Sequence, residues 1–376
     1  MYKIGTFPAR RAIERLRAGL SDPIAIDHLT MEEAPVIQSF SKGLKVLEKG
    51  QSGHLCICGS YGQGKSHNLN YLRRQALSQG YATSLLQLDI REIPFHQFSV
   101  VYRSLMKNLS LSTGESFAVS WKNCSLYQEQ LDDMPHRFRM ILKAMISKNS
   151  LSLRKKKVKD RLKPKDFDHW LEKALMGHDL SIAHLKQILK IREVRGYREE
   201  PLTVRGNILY VQMIQSLGKL LHAMGHKGLV LFFDEAESIA QGRFNSRIKS
   251  YEILSRFFQH SGFVYPVFAF TEAFFDKVRC EDYGNEVSQC PQNYAEIWKN
   301  LQIIRLQDSS PTRWEALQDR LVNLYAEAYQ IDIAAKLPEI KQHIKDLLEK
   351  LKMQETRFKI KALIHQLDII CIRTTS

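Results

Sequence analysis

Gly59-Ser60-Tyr61-Gly62-Gln63-Gly64-Lys65-Ser66 is a glycine, four residues, then Gly-Lys-Ser, the spacing of a phosphate-binding loop. The backbone N–H groups of residues 61 to 66 can ring a polyphosphate, and the glycines let the backbone approach the anion closely. Lys65 would reach the β- and γ-phosphates, and the Ser66 hydroxyl would be a Mg²⁺ ligand. His67 follows directly and joins the residues expected at the nucleotide. Far downstream, Asp234 and Glu235 close an apolar run. Asp234 would support the metal through water, and Glu235 would polarise an attacking water. The plainer alternative is that the two acids cap the next helix, where carboxylates suit the dipole. Thr271, at the end of a later strand, could hydrogen-bond the water or the γ-phosphate. Arg243, Arg247, Arg305 and Arg357 could each supply transition-state charge. Their spacing does not choose among them.

These side chains need a scaffold that brings distant segments together. His54 to Cys58 reads as a short strand entering the loop, and Asn68 to Arg73 opens a helix after it. A strand feeding a glycine loop at a helix N-terminus is the geometry an anion requires. Further strands are expected over 82–89, 228–235, 264–270 and 301–306, with helices between them. The run Leu229-Val230-Leu231-Phe232-Phe233 is unbroken apolar, as in parallel sheets buried on both faces. Pro266 weakens the case for the 264–270 strand, because it removes a ladder donor. Residues 112 to 205 hold no strong strand signal and three helical stripes, at 138–147, 167–175 and 181–194. After Asp308 the pattern is wholly helical, with Ser310-Pro311 as an N-cap and N1 pair.

Lys and Arg exceed Asp and Glu by 55 to 40, a formal charge of +15, and this favours anionic partners, nucleic acid first. Residues Arg154 to Lys165 carry eight basic side chains and one acid, so this run alone holds a net +7. It reads either as an arm that neutralises phosphates of DNA or as a solvated loop. With few aromatics nearby it implies no reading of base sequence. Six cysteines show no metal-ligand spacing; Cys56 and Cys58 alternate along a strand and are expected to pack. No apolar run reaches the roughly 18 residues a membrane span needs, and Arg10 to Arg17 leave no apolar signal core. A reduced cytoplasmic protein is expected.

Three blocks carry a resemblance: Arg10-Arg11-Ala12-Ile13-Glu14-Arg15-Leu16-Arg17-Ala18-Gly19; the loop with His67; and Phe233-Asp234-Glu235-Ala236-Glu237 followed by Arg247-Ile248-Lys249-Ser250-Tyr251. With Ile304-Arg305-Leu306 they resemble the AAA+ branch of P-loop ATPases, and more narrowly the bacterial ATP-binding proteins of BREX-type phage-defence clusters. The likeness covers most of residues 8 to 306 and part of the C-terminal helices, and is weak in the basic insertion. It implies ATP binding and a role in DNA-directed defence beside helicase and modification components. Arg357 stands where such proteins commonly place a sensor arginine.

The expected fold is α/β: a P-loop NTPase core of AAA+ type with a parallel sheet flanked by helices. Its expected parts are an N-terminal helical segment (1–53), the core (54–111 and 206–306), a helical insertion with the basic arm (112–205) and a helical lid (307–376). The expected function is an ATP-hydrolysing switch, with ATP and Mg²⁺, acting on DNA with other defence-system proteins and not in a membrane. A homo-oligomer is compatible with this expectation. Two rivals stand beside it. One is a hydrolysis-poor nucleotide sensor in a protein complex without direct DNA binding. The other is an RNA-directed or kinase-like enzyme.

Overall fold

A computed structural model of the chain describes residues 6–30, 35–51, 53–122, 131, 134–147, 166–203, 206–259, 262–283, 301–306, 311–331, 337–351 and 355–375. The chain begins with helices α1 (Thr6–Ala18), α2 (Pro23–Leu29) and α3 (Pro35–Glu48), then enters β1 (Leu55–Cys58). The loop leads into α4 (Lys65–Ser78), β2 (Ala82–Gln87) and α5 (Phe98–Lys107). Helices α6 (Phe117–Lys122), α7 (His136–Ile146), α8 (Phe167–Leu175) and α9 (Ile182–Ile191) follow, and α10 (Asn207–Ala223) returns to β3 (Leu229–Asp234). A short 3₁₀ turn (Ala236–Gln241), α11 (Phe244–Gln259), β4 (Val264–Phe270), α12 (Glu272–Tyr283) and β5 (Ile303–Arg305) complete the core. Helices α13 (Pro311–Tyr329), α14 (Leu337–Leu351) and α15 (Thr356–Thr375) close the chain. The basic run Arg154 to Lys165 and Ser310 lie outside the described residues.

The five strands form one parallel sheet in the order β2-β3-β4-β1-β5. Alternation within each strand builds two separate cores. Cys56, Cys58, Leu229, Leu231, Phe233, Phe268 and Phe270 face the side covered by α5, α10 and α11. Leu55, Ile57, Val230, Phe232, Val267 and Ala269 face α3 and α4 on the other. Both faces are therefore buried, which is why the β3 sequence is apolar without interruption. Phe233 and Phe268 stack at 4.6 Å across the β3–β4 pair and tie the acid-bearing strand to its neighbour.

Pro266 stays inside β4 because of where its missing donor falls. The Gly59 N–H donates to the Phe270 carbonyl, so even-numbered residues of β4 turn their peptide groups toward β1. Pro266 lies one step before the first β1–β4 pair, Leu55 with Val267, so the ladder loses nothing there.

A third core joins the two ends of the chain. Ala9, Ala12 and Ile13 of α1 and Ala25 and Leu29 of α2 pack with residues of α13, α14 and α15. The basic residues of α1 serve this seam. Arg10 donates to the Ala328 carbonyl (2.8 Å), Arg17 pairs with Asp368 (2.8 Å), and Arg11 pairs with the buried Asp22 (3.1 Å). These basic side chains are thus engaged within the fold. Asp22 also accepts the Ile24 N–H, and Pro23 occupies the first turn, so Asp22-Pro23 begins a helix as well as separating it from α1.

Candidate functional site

At the C-terminal edge of the sheet a cleft of about 1140 Å³ opens between the strand ends and the helices of the third core. Open parallel sheets hold ligands at this edge. The turn from β1 into α4 needs left-handed backbone at Gly62 (φ 79°) and Gly64 (φ 89°), a region that disfavours residues with a Cβ. Gly64 also precedes α4, and no side chain caps that helix. The uncapped N–H groups of its first turn therefore remain available to an anion, with the helix dipole behind them. A methyl group placed on Gly62 would meet the carboxylate of Glu355, at the start of α15, at 2.7 Å. The loop thus lies directly under the C-terminal helices.

The loop is closed on itself. Lys65 is buried, and its Nζ donates to the carbonyls of Gly59 (2.9 Å) and Ser60 (3.3 Å). Gln63 accepts the Ser60 N–H through Oε1 at 2.6 Å. Tyr61 is 64% exposed and stands 5.0 Å from the Lys65 ammonium. Ser66 is exposed and lines the cleft. His67 lines it too, but its Nε2 lies 2.6 Å from Thr30 Oγ1. Thr30 gives its single hydroxyl proton to the Ile26 carbonyl (2.7 Å), so the imidazole must be the donor, with its proton on Nε2. Burial pushes the ring down to about 4, so it is neutral at physiological pH. This contact fastens the start of α4 to the end of α2.

Opposite the loop stand the acids. Asp234 ends β3; its Oδ1 accepts the Glu235 N–H at 3.0 Å. Glu235 is exposed, and its backbone is left-handed (φ 52°, ψ 38°), which is strained for a residue with a side chain. That sharp turn sends residue 235 and residue 237 to different surroundings. Glu235 Oε1 accepts from Gln87 Nε2 at 3.0 Å, whereas Glu237 is buried 3.8 Å from the Lys65 ammonium. Desolvation raises the Glu237 pKa, with Lys65 pulling the other way.

Lys65, Ser66, Asp234 and Glu235 therefore line one cleft, as do Arg305, Arg313 and Arg357. Arg357 is exposed at the first turn of α15, and Arg305 pairs with Glu272 at 2.6 Å. Thr271 and Arg247 are not among the lining residues. Thr271 is buried at the end of β4, the strand between β1 and β3, so it stands in the row of strand ends between loop and acids. Arg247 donates to the Gly242 carbonyl at 2.6 Å within its own turn. Sequence reasoning gives no role to Gln87 or Glu237. Gln87 carries no local signal, since its partner lies 148 positions away. Glu237 has one: an acid two residues beyond Glu235, at the first turn after an apolar strand. Among the described residues no cluster of His, Cys, Asp and Glu could hold a metal by itself, and no helix is long and apolar enough to cross a membrane.

A five-stranded parallel sheet flanked by helices, with a Gly-Lys-Ser loop between β1 and α4 and acids at the end of β3, fits a P-loop nucleotide-binding core. The chain belongs to the family of BREX system ATP-binding proteins: the BrxC/D family model matches residues 6–120 and 199–374. Membership implies an ATP-binding role in phage defence beside other proteins of that system. The stretch between the matched parts, 121–198, contains the basic run. No curated protein matches the chain.

Proposed function

We propose that the chain binds ATP across this cleft and hydrolyses it, working as an AAA+-type switch that acts with partner proteins on DNA. The observation that supports this most is the meeting of Lys65 and Ser66 with Asp234 and Glu235 on one cleft. The loop amides and the α4 N-terminus would receive the phosphates, with Lys65 turning from the Gly59 and Ser60 carbonyls toward them. Leu16, Leu29, Val36, Leu317 and Ile360 give the cleft an apolar side suited to a nucleobase. Ser66 and Asp234 suit Mg²⁺: the hydroxyl is exposed in the cleft, and Asp234 Oδ2 makes no hydrogen bond among the described residues. Bound there, the ion would offset phosphate charge. Glu235 would orient the attacking water and accept its proton once Gln87 releases it. Arg357, carried on α15, would sense the phosphates and couple their presence to the C-terminal helices. The Arg154 to Lys165 run would neutralise phosphates of DNA.

One feature favours a second reading, a nucleotide sensor that turns over slowly: Glu235 is engaged by Gln87 and Lys65 by Glu237. Turnover separates the two. Equilibrium binding of ATP with Mg²⁺, and phosphate release with and without DNA, should show both binding and hydrolysis in the wild type. Lys65→Ala should abolish both. Binding that survives in Lys65→Ala would reject the phosphate site.

A further inference from the structure

Glu237 is a poor choice for stabilising a fold. It is 7% exposed, and no other described residue hydrogen-bonds its carboxylate. A buried carboxylate that no neighbouring residue hydrogen-bonds is destabilising unless a counter-charge offsets it. The one ion pair it makes among the described residues is with Lys65 Nζ, at 3.8 Å. The left-handed backbone at Glu235 creates this approach by turning the chain back beneath the loop. The lysine of the phosphate-binding loop thus already faces an anion supplied by the chain.

We propose that Glu237 is a positioning residue for Lys65: its carboxylate holds the ammonium in the nucleotide-free protein, and an arriving polyphosphate must take the ammonium from it. The proposal rests on the reading that phosphates bind at Lys65. Two consequences follow from charge alone. Glu237 weakens nucleotide binding, because the ammonium leaves one anion to serve another. It also speeds release, because the carboxylate is there to reclaim the ammonium as the nucleotide departs. Asp234 and Glu235 are the other acids facing this region, and Lys65 is its cation.

The test uses the full chain with two readouts. Glu237→Gln keeps the side-chain shape and removes the charge. Fluorescent ADP and ATP analogues should bind it about tenfold more tightly than wild type, mainly through slower dissociation. Glu237→Asp, which keeps the charge, should stay near wild type. Thermal melting of the nucleotide-free proteins supplies the second readout. Lys65→Met should lower the melting temperature by stranding Glu237, and the Lys65→Met/Glu237→Gln double variant should recover most of that loss. Binding by Glu237→Gln no tighter than wild type, or melting losses that simply add, would overturn the proposal. Failure of the wild type to bind any nucleotide would instead remove the phosphate site, and the melting cycle would still decide whether Glu237 holds Lys65.

Discussion

Replacing Glu235 by Gln separates chemistry from binding more sharply than any other change in the cleft. Glu235 is exposed, and the amide oxygen of a Gln can still accept the hydrogen bond that Gln87 donates at 3.0 Å, so Glu235→Gln should alter stability by no more than about 0.5 kcal/mol. Nucleotide affinity should move little, since the loop and Lys65 are untouched. Turnover should fall by about 10²- to 10⁴-fold, the range for a positioned general base, or about 3 to 5 kcal/mol of barrier. Gln87 provides the internal control. A hydrogen bond of this kind contributes about 0.5 to 1.5 kcal/mol, so Gln87→Ala should free Glu235 and raise basal turnover by up to about tenfold. In the Glu235→Gln background that gain must vanish, because nothing is left to free. Phosphate release at saturating ATP and Mg²⁺, with a parallel equilibrium binding assay, measures all four proteins. Turnover of Glu235→Gln above one tenth of wild type, or a Gln87→Ala gain that persists without Glu235, would refute the role assigned to Glu235.

Two further outcomes test the surroundings of the cleft. Arg357 is exposed and makes no ion pair among the described residues, so Arg357→Ala should leave the melting temperature unchanged while weakening ATP about tenfold, and ADP less; equal losses for both nucleotides would mean that it does not sense the γ-phosphate. Neutralising the basic residues of Arg154 to Lys165 should flatten the dependence of DNA affinity on salt, by a slope of about 0.9 for each phosphate that the run no longer neutralises. An unchanged slope would make that run a solvated loop, and RNA competing better than DNA would redirect the partner assignment.

The sheet was legible because each strand announces itself locally. Burial on both faces made β3 continuously apolar, and the glycine spacing marked the turn out of β1. Pro266 misled only because its register against β1 is a tertiary fact: the residue falls just ahead of the ladder. Asp22-Pro23 separates α1 from α2 and also starts α2, because the residue types that end one helix can begin the next. The loop and the acids were visible as motifs, but their meeting depends on β4 inserting between β1 and β3. What the sequence could not show is which acid faces which cation. Glu235 and Glu237 differ by two positions, and only the left-handed turn between strand and 3₁₀ helix exposes one and buries the other. The seam with α13 and α15 that absorbs Arg10 and Arg17 of α1 joins opposite ends of the chain, so no local pattern announces it.

A crystal structure of the chain with a non-hydrolysable ATP analogue and Mg²⁺ bears most directly on the shared cleft. The γ-phosphate should lie against the Lys65 ammonium, now withdrawn from Glu237, with the metal between the Ser66 hydroxyl and the Asp234 carboxylate, directly or through water. Triphosphate density elsewhere, or a metal touching neither residue, would contradict a single nucleotide site built from the loop and the end of β3.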